Sequence, residues 1–410
     1  MCYDCAVLKK VSLVTMGNMF NAFLGFLYLW AVANSLSLEQ FGKYSLFVSL
    51  VVVLGRLTDF GTNSIYVTNS ILRNPKSATF IYTKVLLTLA ACFIGLVILK
   101  IIGLFDLIFA VILVGGVFSY GLIYTLYAFY QKEEKYGLLV LLYTVPAVIK
   151  AMFAGLFHFQ ILSTSVELAG AVFSLSIATG VVLLIMDNPL KGLKLSLKKH
   201  PLELIKESWP AGISQTITEM WPALSNSIAK TLHGFSQVGI FALANKVSAI
   251  FSLLSLSIFT VLLPKNAKRK KQELKYGFDE VALISMVLLL IGIVGVIVSR
   301  FVVTNFFSPQ FKDALDLLNI LIFAGVLTAI ATFMENYFFV EETTKKILAI
   351  NLAKLGAFTL GILALTPSLA LKGLAYSQLI AGLVAVMVTA IFMFTPKRNT
   401  LVKKMVDKIK

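Results

Sequence analysis

Apolar residues run along this chain in long unbroken blocks. Twelve blocks, each close to the ~20 residues that carry a helix across a ~30 Å hydrocarbon core, are separated by short polar connectors. Inside a block the apolar residues are continuous rather than alternating, and a backbone facing lipid must close its own hydrogen bonds, so the pattern predicts helices and not a barrel. The expected spans are Val11 to Leu36, Tyr44 to Asn69, Phe80 to Gly103, Leu107 to Tyr130, Leu138 to Phe159 and Thr164 to Met186. A second six run Ser208 to Leu232, Val238 to Leu263, Val281 to Val303, Ala314 to Val340, Ile347 to Pro367 and Leu374 to Phe394.

Composition narrows the picture further. Of 410 residues 58% are hydrophobic, and the mean hydropathy is +0.89, which excludes an ordinary water-soluble domain. The net charge of +16 would suit nucleic acid, but its placement favours a membrane. Roughly two-thirds of Lys and Arg fall in every second connector, as in Lys9 and Lys10, Arg73 and Lys76, Lys132 and Lys135, Lys191 to Lys206, Lys265 to Lys275, Lys345 and Lys346, and the tail after Lys397. By the positive-inside rule these connectors and both termini are cytoplasmic, and the even span count agrees. The run Lys268 to Lys271 reads as a topology signal and an anionic-lipid contact, with no nucleic acid implied.

The chain divides into a six-helix half, 1–190, a basic cytoplasmic connector, 191–207, a second six-helix half, 208–396, and a basic cytoplasmic tail, 397–410. The halves look related. Gln40-Phe41-Gly42-Lys43-Tyr44-Ser45-Leu46 and Gln237-Val238-Gly239-Ile240-Phe241-Ala242-Leu243 share the order Gln, apolar, Gly, any, aromatic, small, Leu, at the same place in each half. Two halves of six spans insert with one orientation, which predicts a substrate cavity between them and alternating access by rocking.

Polar residues inside the spans mark the candidate chemistry, because a mid-bilayer charge costs at least ~2.5–3.5 kcal/mol and should face the bundle interior. Arg56 and Asp59 share a helix face and can neutralise one another. Glu219, Asn226 and Lys230 form a stripe along the seventh span, where Pro210 and Pro222 loosen the helix. Lys150, Lys246, Lys354 and Glu335 lie within spans, and Asn18 and Asn21 share a face of the first. The plainer alternative for each is packing glue, or for Lys230 and Lys354 a snorkelling end. Arg56, Lys150, Lys230, Lys246 and Lys354 outnumber Asp59, Glu219 and Glu335, so the lumen is expected to attract an anion.

Catalytic and metal chemistry find little support. Cys2 and Cys5 form a lone C-x-x-C without further ligands, Cys92 reads as a packing residue, and His158, His200 and His233 form no catalytic set. A membrane glycosyltransferase would want a large outer loop or a carboxylate cluster, and neither occurs.

Leu38-Glu39-Gln40-Phe41-Gly42-Lys43-Tyr44, Asp59-Phe60-Gly61, Ser236-Gln237-Val238-Gly239-Ile240-Phe241, and Asn305-Phe306-Phe307-Ser308-Pro309-Gln310-Phe311 followed by Ala314 and Leu317-Leu318 occur in this order across the chain. In this order and topology the chain resembles the Wzx-type polysaccharide flippases, in the polysaccharide-transport branch of the superfamily that includes the MATE antiporters. The resemblance implies an all-α integral membrane protein with twelve transmembrane helices, V-shaped, which moves a lipid-linked oligosaccharide from the cytoplasmic to the outer leaflet. It implies substrate-binding cations in the second, seventh, eighth and eleventh spans, here Arg56, Lys230, Lys246 and Lys354, joined by Lys150, Asn18 and Asn21 from the reading above. Asp59, Glu219 and Glu335 would serve charge relay or gating. No cofactor is implied beyond a coupling H+ or Na+, and the partners would be membrane lipids, a polysaccharide polymerase and glycosyltransferases at the plasma (inner) membrane. Chains of this family are usually somewhat longer. The alternative is a MATE-like antiporter of small drugs, which would favour acidic residues facing organic cations.

Overall fold

A computed structural model of the chain describes residues 2–63, 65–67, 77–180, 182, 187, 201–249, 278–340, 343 and 345–394. The basic segments Arg73 to Lys76, Lys191 to His200, Lys265 to Lys275 and Lys397 to Lys410 lie outside the described residues.

The elements are α1 (Cys2–Ser35), α2 (Leu38–Asp59), α3 (Ser77–Ile101), α4 (Leu107–Lys132), α5 (Tyr136–His158), α6 (Val166–Leu175) with a following 3-10 turn (Ser176–Thr179), α7 (Pro201–Glu219), α8 (Trp221–Ser248), α9 (Phe278–Phe306), α10 (Ala314–Val340) and α11 (Lys345–Phe394). Each expected span contains helix among the described residues, and no strand occurs there. Eight of these helices are long and apolar enough to cross a membrane.

Several boundaries follow local chemistry that the apolar blocks do not express. Helix α2 breaks after Asp59, within the span expected to reach Asn69, because Phe60 turns left-handed at φ 41° and its N–H bonds back to the Arg56 carbonyl. Gly61, at φ 73°, continues that turn at no steric cost. At the other end of α2, Ser37 and Gln40 form a reciprocal capping box. The seventh span breaks at Met220: α8 begins Trp221-Pro222, and a proline in a first turn has no N–H to return to the preceding helix. The helical path is broken inside α8 at Gly234, φ 81°, and inside α11 at Ala370, φ 51° and ψ −129°.

Two compact units are found. One holds Met1–Asn245 with Arg300–Leu315, the other Lys246–Ser299 with Asp316–Lys410. In the first, α2 is central and packs on α3, α4, α6 and α7, while α1 lies along α5. Small residues allow this approach, as expected where lipid supplies no hydrophobic drive between helices. A Cβ on Gly55 would strike the Tyr120 ring, and one on Gly116 would meet Ser174 and Val51. In the second unit the arms of α11 fold together through Gly361 on Ser377 and Gly373 on Leu365 and Thr366, and Gly382 meets Leu327 of α10.

Candidate functional site

The charged residues of α2 do not face lipid. Arg56 Nη2 donates to Glu219 Oε1 at 2.8 Å, and its Nη1 lies 3.9 Å from Asp59 Oδ2. Asp59 Oδ1 accepts from Lys84 Nζ of α3 at 2.9 Å and from the Asn63 backbone N–H at 3.1 Å. Lys84 also donates to the Thr58 carbonyl at 3.3 Å. Asn63 in turn donates to the Tyr124 carbonyl at 2.9 Å, and the Arg56 guanidinium lies over the Tyr124 ring at 5.0 Å. Two cations and two carboxylates thus form one neutral cluster drawn from α2, α3 and the last residue of α7.

Within the cluster the pairs differ in access. The Lys84 and Asp59 side chains are only 3% and 5% exposed, whereas Arg56 and Glu219 are 27% and 36% exposed. Lys84–Asp59 is therefore a sealed internal pair and Arg56–Glu219 a reachable one. A guanidinium offers five donors in a planar fork, and Arg56 Nε is buried without a partner.

The stripe expected on the seventh span survives its break. Glu219 meets Arg56, Asn226 donates to Ser49 at 3.4 Å, and Gly42 meets the Phe235 carbonyl, so the stretch from Glu219 to Phe235 runs antiparallel to α2. At the end of that line the two repeat-equivalent glycines meet. A Cβ on Gly42 would land on the Phe235 carbonyl oxygen, and one on Gly239 on the Leu38 carbonyl oxygen. Positions 38 and 235 correspond in the repeat just as 42 and 239 do, so the contact is self-complementary. Nearby, Asn34 and Trp30 donate to the Phe306 carbonyl, Asn34 accepts from Ser308, and Gln310 donates to the Leu36 carbonyl. The segment Asn305 to Phe311 is thereby fastened to the end of α1.

The other candidates are placed separately. Lys150 lies over the Phe173 ring at 4.9 Å, and no carboxylate pairs with it among the described residues. Lys230 rests over Phe235 at 5.6 Å. Asn18 is exposed, and Asn21 is half-buried with its Oδ1 unpartnered. Lys246, Lys354 and Glu335 belong to the second unit, where Glu335 and Lys354 lie within electrostatic reach of each other. Lys84 is the residue that sequence reasoning passed over. It sits near the start of the third span, where lysines usually snorkel, and only its register on α3 could have turned it toward Asp59.

Long apolar helices around a buried polar cluster define a multi-pass membrane protein. The chain matches the model of the polysaccharide biosynthesis protein family over residues 7–268 and belongs to that family, the Wzx-type flippases. In fold it is similar to the lipid II flippase MurJ in an inward closed conformation, at 13% identity over 93% of this chain and 87% of that one, TM-score 0.74. It is also similar to an inward-facing multidrug resistance transporter of the MATE family of the MOP superfamily, at 15% identity over 90% and 93% of the two chains, TM-score 0.69. The MATE multidrug transporter DinF-BH follows at 14% identity over 94% of each, TM-score 0.66. No curated protein is significantly similar in sequence.

Proposed function

We propose that this protein is a flippase that carries a polyprenyl-(pyro)phosphate-linked oligosaccharide from the cytoplasmic to the outer leaflet of the plasma membrane for surface polysaccharide synthesis. It would do so without enzymatic chemistry, by alternating access through a cationic cavity of a twelve-span fold in two six-helix halves, 1–190 and 208–396, with both termini cytoplasmic. The observation that carries the reading is the access of Arg56. It is a guanidinium in the last turn of α2, held by Glu219 yet 27% exposed, and its planar fork can exchange that carboxylate for a phosphate of the same charge sign.

Lys150, Lys230, Lys246 and Lys354 add positive charge to the path, with Asn18 and Asn21 as polar contacts. Asp59, Glu219 and Glu335 would relay charge, with a proton or sodium gradient as the drive. A polymerase and glycosyltransferases would work beside it. A MATE-like antiporter is the second reading, favoured by several structural neighbours. It needs a carboxylate open to an organic cation; here Asp59 is sealed against Lys84, and Glu219, 36% exposed, would first have to leave Arg56.

The test is the leaflet distribution of the lipid-linked oligosaccharide in cells lacking this protein, with uptake of cationic drugs followed in parallel. Accumulation on the cytoplasmic leaflet with loss of surface glycan supports the flippase. Normal glycan with greater drug retention overturns it in favour of the antiporter.

A further inference from the structure

Beside the ion cluster lies a feature the proposed transport step leaves unused. Tyr120, Tyr124 and Tyr127 stand at i, i+4 and i+7 on α4 and so share one face, spanning about 10 Å of helix. The Tyr120 and Tyr124 rings stack at 5.9 Å, and Tyr143 of α5 joins edge-on to Tyr127 at 6.0 Å. Gly55 makes room for Tyr120, since any Cβ there would enter its ring. The opposite face of α4 carries exposed Val111 and Phe118, roughly half a turn of azimuth away, where lipid belongs.

All four tyrosines are half-buried. None of their hydroxyls makes a hydrogen bond among the described residues, and none is counted among the sealed, unpartnered atoms. A hydroxyl without a partner is costly in hydrocarbon, so a row of them belongs to a space that water or a polar ligand enters. A second observation points the same way. Gln215, one turn before Glu219 on α7, has its side-chain carbonyl oxygen buried without a partner, as Arg56 has its Nε. The unpartnered Nε of Arg56 thus lies over the aromatic face, and Gln215 is one helical turn from the carboxylate that holds Arg56, a combination that suits a ligand with flat apolar patches and many hydroxyls.

We infer that this tyrosine face is the surface that reads the sugar of the transported lipid. This rests on the flippase reading and adds to it the residues that set glycan specificity. The sugar lies along the exposed edge of the row, its hydroxyls bonding to the tyrosine hydroxyls, while Arg56 holds the neighbouring phosphate. An organic cation suits the row poorly, because the Arg56 guanidinium already covers the Tyr124 ring. The row is long enough for about two sugar rings at 1.5 Å of rise per residue.

The experiment uses the full chain in cells lacking it, supplied with either the complete lipid-linked repeat or the same carrier bearing only its first sugar. Wild type should favour the complete repeat by about tenfold or more, the range that a set of specific polar contacts provides. In Tyr124→Leu and Tyr127→Leu the preference should fall below about twofold, mainly through lost flux of the complete repeat, and Tyr→Phe variants, which keep the rings, should fall between. An unchanged preference in the Leu variants overturns the inference, as does equal handling of both substrates by wild type. Equal loss of both substrates in the Phe variants makes the tyrosines merely structural and overturns it too. Failure of wild type to move either substrate sinks the flippase reading itself, and is thereby a separate result.

Discussion

Helices α2 and α9 are both spans, yet they invert the rule that governs soluble proteins. In the most apolar stretch of α9 only 17% of the residues are buried, while in that of α2, far less apolar and carrying Arg56, 72% are. In lipid a leucine gains little by turning inward, and a charge gains a great deal. The interior of this protein is therefore selected by polarity and small size, with Ser45, Ser49, Gly55 and Asp59 buried on α2 and Leu290, Val294 and Val298 exposed on α9. Function gathers where the apolar pattern is weakest.

Removing Asp59 should break that comparison most sharply. Asp59→Ala leaves Lys84 charged and sealed, and should cost about 3–5 kcal/mol of stability, read from unfolding of the full chain in detergent. Pairing Asp59→Asn with Lys84→Met should recover most of it, and a fully additive double mutant would contradict the sealed pair. Gly42→Val should cost about 1–3 kcal/mol in the same assay, because its side chain meets the Phe235 carbonyl, which is backbone and yields poorly. A neutral Gly42→Val would remove the glycine contact from the account.

Arg56→Lys keeps the charge and loses the planar fork. Glycan export should fall about tenfold, equivalent to about 1.4 kcal/mol, with protein level unaltered. Export at the wild-type rate would mean that a point charge suffices. The smallest effect belongs to α9. Val298→Leu, on its exposed side, should shift stability by less than about 0.5 kcal/mol, and a larger shift would show that this face is packed rather than bathed in lipid.

Much of this was legible in the order of residues. Long apolar blocks announce helices because a chain in lipid has no other way to satisfy its backbone, and Ser37 with Gln40, Gly61 and Pro222 mark helix ends by chemistry that acts within a few residues. The repeat around Gly42 and Gly239 and the pairing of Arg56 with Asp59 could also be read, since both rest on spacing. Which partner each charge takes could not. Arg56 reaches Glu219 across 163 residues, Asp59 takes Lys84 across 25, and the repeated glycines meet only because α8 returns antiparallel along α2. Spacing along a helix is local and periodic, whereas the azimuth at which one helix meets another depends on every side chain between them. For that reason composition and pattern determined the class and the helical character of the chain, while packing alone decided that Lys84 is sealed, that Arg56 is reachable, and that four tyrosines share its surroundings.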